Sequence, residues 1–434
     1  ALPVRAQDVL GQMRGALDAT QEGVAPGAVD DQSAALGRAL RRAEANARPL
    51  FLPPGRYEVA EIDLPPFAHL LGVPGQTRLV FRGGAFMLKA RQAKHVRLEG
   101  ISVDGGWLPL GESVRGLLDV DEVDDLVLED CEFTASTAAG AVLRACAGRV
   151  ENSKFRDART IGLDLDQSRG MLVEGNIVAD CGGTGILVQR DSESADDTIV
   201  RGNRVTAIRA DSGGTGQYGN GINLDKANGV IVAGNRIDDC GFSAIRCYSS
   251  DNVQVSGNTA TRSGEIAIYV EFAFEGAIVS GNLIDDAAVG ISMPNFMEHG
   301  GRLAVCSGNL IRNISGVSRL PRGAPLTGAG IGAEADAAIS GNVIENAPVG
   351  IGLGWGEYLR DIAATGNMIR GCRVGITVSV AEGAGPALIA DNLISGAESG
   401  GILGMRWNEV ATGDLARESA ADYPHLAIEG NRVS

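Results

Sequence analysis

GINLDKANGVIVAGN, residues 221–235, alternates apolar and polar residues and closes on Gly-Asn, with Ile222 and Leu224 on one side of an extended chain and Asn223 and Asp225 on the other. Variants of this stretch recur along most of the chain. Gly-Asn ahead of an apolar residue occurs at Asn176, Asn203, Asn235, Asn258, Asn282, Asn309, Asn342, Asn367 and Asn431, with Asp-Asn at Asn392. Fainter copies precede these in LEGISV (98–103), LEDCEF (128–133) and VENSKF (150–155). The basic spacing is 22 to 27 residues, longer where a loop is inserted. About ten residues after most of these asparagines comes Gly/Ala-Ile, at Ile186, Ile245, Ile268, Ile291, Ile351, Ile376 and Ile402, with Ile222 and Ile331 after longer gaps.

Each period therefore holds three short strands separated by tight turns. In the opening stretch they are GINLD, VIVAG and the segment at 236–237. A strand of four or five residues cannot bury its apolar face alone. Stacking the periods solves this, each strand pairing with its copy in the next coil about 4.8 Å away. Asparagine suits the turn because it tolerates the left-handed conformation and its amide can bond to the same amide one coil on. The pattern predicts an all-β parallel β-helix, a solenoid of about a dozen coils. Leucine-rich repeats of similar period need an L-x-x-L-x-L frame that is absent.

Residues 31–46, DQSAALGRALRRAEAN, have helical periodicity and are expected to form a short N-terminal helix capping the solenoid, while PLFLPPGRYEV (49–59) reads as a strand with a Pro-Gly turn. The expected organisation is an N-terminal segment with capping helix over 1–48 and one continuous β-helix over 49–434. The sequence ends on a repeat, EGNRVS (429–434). The expectations there are a missing C-terminal cap, the loop 405–425 folded over that end, or a partner covering it, a homo-oligomer among the options.

Composition narrows the function classes. Of 434 residues 61 are glycine, 4% aromatic and 44% hydrophobic, which excludes collagen and disorder and fits β-structure with frequent turns. The net charge of −16, without a dense Lys/Arg run, argues against nucleic acid and against a membrane surface. No apolar run reaches 18 residues, so no membrane insertion is expected. The seven cysteines are scattered without a C-x-x-C, and the four histidines lack metal-ligand spacing. GGTG (182–185 and 213–216) and GLGWG (352–356) lead into strands rather than helices and read as turns, not phosphate loops.

The D-x-x-A-L…PPG-x-Y opening and the "gI-x-V…V-x-G-N-x-I" repeats resemble the pectin-lyase-like β-helix superfamily, and within it the twin-arginine-translocated repeat proteins. The likeness covers nearly the whole chain. It implies a right-handed helix and export, with a periplasmic or secreted location. The superfamily includes lyases, glycoside hydrolases, epimerases and phage tailspikes, so the fold alone does not fix the activity. The characteristic Asp cluster of pectate lyases and the polygalacturonase-type NTD, DD, GHG and RIK motifs are not recognisable here.

With the Gly-Ile isoleucine inward, the residues one and three later face out. Successive coils then present Asp164 and Asp166, Leu187 and Gln189, Asn223 and Asp225, Arg246 and Tyr248, and Tyr269 and Glu271. Ser292, Asn295, Glu334, Trp355 and Glu357 follow. Inserted loops bracket this strand on both sides, as a groove for a polysaccharide or oligosaccharide would require. Asp225 and Glu271 lie two coils apart, roughly 9–10 Å between backbones, a spacing suited to a general acid and a water-activating base in glycoside hydrolysis. Lyase chemistry on a uronic acid is the alternative, with Arg246 stabilising the anion and Tyr248, Tyr269 or Lys226 as base.

The expected catalytic residues are Asp225, Glu271, Arg246, Tyr248 and Tyr269. Those expected to bind substrate are Asp164, Asp166, Gln189, Asn223, Lys226, Asn295, His299, Glu334, Trp355 and Glu357. Phe296, Met297, Trp355, Tyr358 and Trp407 read either as sugar-stacking platforms or as loop anchors. No cofactor is required by this scheme, though the carboxylate-rich outer face offers calcium ligands. The rival reading is a non-catalytic exported glycan-binding or envelope structural protein.

Overall fold

The computed structural model describes residues 15–214, 216–294, 301–320 and 326–434. The expected Asn295, Phe296, Met297 and His299 lie outside the described residues. By internal contacts the chain forms two compact units, Ala1–Arg190 with Asp196–Arg204, and Asp191–Ala195 with Val205–Ser434. Each is built from three parallel sheets visited in turn: a first face of strands after Gly/Ala-Ile, a second of strands leading into Gly-Asn, and a third of strands leaving it.

In the first unit the helix α1, Ser33–Ala45, buries Leu36, Ala39, Leu40 and Ala43 along one side and packs on the strands Leu50–Phe51, Ile62–Asp63 and His69–Leu71. Asp31 accepts from the Ser33 amide at its start (2.9 Å), and the Ser33 hydroxyl accepts from the Ala60 amide (2.7 Å), which ties the helix to the first coil. The segment expected as one strand over 49–59 is two, Leu50–Phe51 on the second face and Gly55–Val59 on the third. The Pro53-Pro54 pair between them has no N–H to continue a ladder, so the chain turns a corner there. On the first face the parallel order runs from Ile62–Asp63 through Leu88–Ala93, Gly116–Val123 and Ala139–Arg144 to Ile161–Asp166, with residues 184–189 alongside.

In the second unit the first face begins at Asn220–Asn228 and runs through Ile245–Tyr248, Ile266–Glu271, Val289–Met293, Ala329–Ala333, Val349–Leu353 and Val374–Ser379 to Gly400–Arg406. Ile222, Ile245, Ile268, Ile291, Ile331, Ile351, Ile376 and Ile402 stack in register through its interior, each fully buried. At about 1.5–3 kcal/mol per buried side chain this column is a large part of the unit's stability. At its far edge the face does not add another parallel strand. Glu409–Asp414 folds back antiparallel on Gly400–Arg406, and the Asp414 carboxylate accepts from the Gly401 and Ile402 amides (2.8 and 2.9 Å). The expected fold-over of 405–425 thus takes the form of a hairpin covering an otherwise open strand edge.

The asparagines form the expected ladder, but the turn chemistry differs from the expectation. From Asn235 through Asn258, Asn282, Asn309, Asn342, Asn367 and Asn392, each donates its amide N–H and its Nδ2 to the Oδ1 of the next. Asn431 closes the series. The left-handed residue is the one before each asparagine: Gly281 has φ +64° and Asp391 φ +56°. The asparagine side chains up to Asn392 are buried and committed to the ladder, so the preceding residue makes the turn.

All seven cysteines are buried thiols. Burial pushes those of Cys131, Cys247 and Cys306 up to about 12, which removes them as nucleophiles. No helix among the described residues is long and apolar enough to cross a membrane.

Candidate active-site groove

The first face of the second unit carries two outward ladders. One runs Asn223, Arg246, Tyr269, Ser292, Gly332, Gly352, Thr377, and the other Asp225, Tyr248, Glu271. The strand alternation brings the five residues expected to be catalytic together on three adjacent coils.

These side chains are more enclosed than solvent-facing strand residues usually are. Asn223 and Arg246 are buried, and Asp225, Tyr248, Tyr269 and Glu271 are half-buried. The Arg246 Nε donates to Glu271 Oε2 at 2.6 Å, and its guanidinium lies 4.8 Å from the Tyr248 ring centroid. Tyr248 meets Phe272 edge-on at 6.5 Å, and Tyr269 packs against Phe242 at 6.4 Å. The Tyr269 phenol is pushed well above its ordinary range, first by burial and then by the adjacent Glu271 carboxylate, to which it donates a hydrogen bond. Such a phenol serves as a donor, not as a base.

Asp225 differs from Glu271. Its Oδ1 is buried without a hydrogen-bond partner among the described residues, as is Asn223 Oδ1. Burial raises the Asp225 carboxyl above its ordinary value, and Lys226 and Arg246 only partly offset this. An unpartnered buried carboxyl oxygen is costly when ionised, so Asp225 gives up its proton less readily than a solvated aspartate. Lys226 itself has left-handed backbone (φ +58°) and its Nζ lies 3.4 Å from the Asp191 carbonyl.

Sequence reasoning missed Glu265, just ahead of the third of these strands. Burial raises its carboxyl, the neighbouring Glu271 adds to this, and a hydrogen bond from Ser318 eases it. The inserted segment carrying Ser318 folds back here, with the Arg319 amide donating to the Gly264 carbonyl at 2.8 Å. Only an acid where most other coils carry small or apolar residues, Arg115 and Arg373 aside, hinted at it.

Further along the same face, Glu334 and Trp355 line a cleft of about 230 Å³ with Trp407. Glu357 is exposed beside Gly383 and is not part of its lining. A larger hollow of about 780 Å³ lies on the second face, but its walls are mainly alanine, leucine and proline and offer little chemistry.

In the first unit, Asp164, Asp166 and Gln189 are drawn into one network. Gln189 Nε2 donates to Asp164 Oδ1 (2.9 Å), and Arg115 Nη1 donates to Asp166 Oδ2 (2.6 Å). Arg115 and Arg91 also flank the buried Asp119 at 3.8 and 3.3 Å, and Arg144 bridges toward Asp121 and Asp166. Burial, with the Asp166 charge nearby, pushes Asp164 up to about 7. These residues, expected to bind substrate, are thus engaged mostly with one another. Among the described residues no group of three or more His, Cys, Asp or Glu side chains converges as metal ligands.

The family model for right-handed β-helix regions matches residues 114–216, 139–295 and 200–360, together more than half of the chain. The chain belongs to that family. No curated protein sequence matches it. Among solved structures it is similar to bacteriophage phi29 gene product 12 (14% identity, 94% of this chain and 58% of that one, TM-score 0.58). It is also similar to a mannuronan C-5 epimerase A-module of Azotobacter vinelandii (15%, 96% and 99%, 0.51). A third is the catalytic unit of a GH87 α-1,3-glucanase of Streptomyces thermodiastaticus (15%, 97% and 69%, 0.51). The chain spans about three fifths of the viral proteins, 58% of gene product 12 and 61% of Geobacillus virus E2 ORF18. At these identities the likeness is one of fold.

Proposed function

We propose that this protein cleaves or modifies a polysaccharide or oligosaccharide in the groove on the first face of its second unit, with glycoside hydrolysis favoured over lyase chemistry. The observation that carries this reading is the contrast between Asp225 and Glu271, two carboxyl groups in register on one ladder and two coils apart. Their backbones are separated by about 9–10 Å, close to the upper end of the range of about 6.5–9.5 Å between the carboxyl groups of inverting enzymes. Asp225, whose carboxyl burial raises above its ordinary value, is the proton donor to the leaving oxygen. Glu271, fixed by Arg246 and Tyr269, activates the water.

The lyase alternative is less well supported, since Arg246 is already paired with Glu271 and the raised Tyr269 is a poor base. The known activities of two structural neighbours, a glucanase and a mannuronan epimerase, support the substrate class. Export to the periplasm or beyond, read from the resemblance to twin-arginine-translocated repeat proteins, belongs to the same proposal.

The test is a screen of neutral and uronic-acid glycans for new reducing ends and for the ultraviolet absorbance of unsaturated products, with Asp225→Asn and Glu271→Gln alongside. New reducing ends lost in both variants support the hydrolase. Rising absorbance instead points to elimination, and binding without turnover to a glycan-binding protein.

A further inference from the structure

The cleft beyond the catalytic ladder is walled by Trp355, Trp407 and Glu334 and floored by Gly332, Gly352 and Thr377. Its volume, about 230 Å³, is smaller than the roughly 300–1,000 Å³ of sites that enclose a whole drug-sized ligand, so it fits part of a longer one. The two indoles meet edge-on at 5.6 Å, and Tyr358 supports Trp407 at 6.3 Å. Trp407 nonetheless stays 46% exposed at the tip of the closing hairpin. Its ring lies so close over Gly356 that any side chain there would collide with it, at 2.3 Å from an added Cβ.

The floor is the informative part. The glycines of the Gly-Ile signature are required by the fold: an added Cβ at Gly330 or Gly350 would sit 2.8 or 2.5 Å from the carbonyl oxygen one coil on. Gly332 and Gly352 are different. They occupy the outward ladder where other coils carry Asn223, Arg246, Tyr269 and Ser292, and neither has left-handed backbone. An added Cβ would meet nothing closer than 3.9 Å at Gly332 and 3.5 Å at Gly352. Glycine inside a strand costs stability, and here the chain does not need it. What the two glycines provide is depth beneath the indoles.

We infer that this cleft is a subsite for one neutral pyranose ring of the glycan, stacked on Trp407 over the Gly332–Gly352 floor, with Glu334 accepting from its hydroxyls. The inference rests on the proposed glycan reading of the groove and extends it. Aromatic faces take the apolar C–H face of a sugar. The lining carries one carboxylate, Glu334, and one guanidinium, Arg373, which offset each other, so in a chain of net charge −16 the cleft offers a uronate no net attraction. Gly332 and Gly352 lie two and three ladder steps from Tyr269, about 10–15 Å. A glycan filling both the cleft and the catalytic ladder must therefore be several rings long.

The chain has three tryptophans, Trp107, Trp355 and Trp407, so in a Trp107→Phe background all indole fluorescence comes from the cleft. That protein is titrated with maltohexaose, cellohexaose, laminarihexaose and a galacturonate hexamer, and with the matching monosaccharides. A saturable change with at least one neutral hexasaccharide is expected, weakened about tenfold or more by Gly332→Leu and by Gly352→Leu. Both variants should melt within a degree or two of the parent, since the added side chains enter open space. Trp407→Ala should weaken binding similarly, but the filled-floor variants carry the test if the hairpin is disturbed. No response to any neutral hexasaccharide, an undiminished response in both leucine variants, or a response to the galacturonate alone overturns the inference. Binding to the parent protein, when the parent itself turns over no glycan of the panel, refutes the catalytic proposal and leaves the subsite standing. Turnover without a cleft response does the reverse.

Discussion

Arg246 and Glu271 join adjacent coils diagonally, with Nε 2.6 Å from Oε2 and both side chains about nine-tenths enclosed. Their register partners are others: Arg246 lies opposite Tyr269, and Glu271 opposite Tyr248. Removing one member of an enclosed pair strands the other's charge. Arg246→Ala is expected to cost about 3–5 kcal/mol, and Glu271→Gln, which keeps an acceptor, about 1–3 kcal/mol. Urea unfolding of the two single variants and of Arg246→Ala/Glu271→Gln checks this. The double variant should lose less than the sum of the singles, and strict additivity would show that the pair is solvent-screened.

Asp225 should set the alkaline limb of activity. Its carboxyl is raised by burial, so the acid form needed for proton donation persists to higher pH than in a solvated aspartate and is lost as pH rises through the raised value. The kcat/KM profile should fall on that side, and Asp225→Asn should abolish turnover of unactivated glycans. Substrates with a good leaving group, which need little protonation, should keep more of their rate. An alkaline limb unchanged in a variant with residual activity would assign the acid elsewhere, with Glu265 the next to test.

Asp164 makes the opposite contribution to stability from a salt-bridged aspartate. Its native value is about 7 against an ordinary 3.8, so over that interval the folded state binds more protons than the unfolded one. Its contribution is then fully present below about pH 4 and lost as pH rises toward 7, on the order of a few kcal/mol at about 1.4 kcal/mol per unit. Asp164→Asn should therefore stabilise the protein at pH 8 and flatten the dependence of the urea midpoint on pH between 4 and 7. A steeper dependence in the variant would mean that Asp164 is ionised in the native state.

The asparagine ladder predicts a gradient of sensitivity. Asn309 accepts two bonds from Asn282 and donates to Val279 and Asn342, all buried. Asn309→Ala leaves several of these groups unsatisfied at about 1–3 kcal/mol apiece. Asn431 is only part-buried and passes nothing onward within the ladder, so Asn431→Ala should cost clearly less. Gly281, left-handed with open space around it, should tolerate asparagine at little cost but lose more with valine. Equal losses at Asn309 and Asn431 would mean that ladder bonds are readily replaced by water.

Much of this was legible because a solenoid repeats its instructions. The Gly/Ala-Ile and Gly-Asn spacings mark the strands, and the period-two alternation from Ile222 put Asp225, Arg246 and Glu271 on one face. The pairing between them was not legible. Arg246 reaches diagonally to Glu271 and past Tyr248, its own strand neighbour, and side-chain direction of that kind has no sequence signal. Glu265 is a half-buried acid on which a loop some fifty residues later folds back. Asp164 and Asp166 looked like open binding groups because Arg115, which holds Asp166, sits two coils earlier. Gly332 and Gly352 were lost among 61 glycines, since only the space above a Cβ separates them from those the fold requires.

Tyr269 separates the two chemistries left open by the sequence. In the hydrolytic scheme it remains protonated, its hydroxyl donating to Glu271 while its ring packs on Phe242. Tyr269→Phe keeps the ring packing and the Arg246–Glu271 pair and deletes one donor. Turnover should fall by roughly ten- to a hundredfold, with KM little changed and the melting temperature lowered by no more than a few degrees. In an elimination scheme with Tyr269 as the base, the same variant would be inactive on uronates, and the parent's rate would climb with pH as the phenol ionises. Burial and the neighbouring Glu271 charge both oppose that ionisation. A pH-rate profile of parent and variant on one substrate therefore distinguishes them: a residual rate with an unchanged profile supports the donor role, and loss of a rising alkaline limb would sink it.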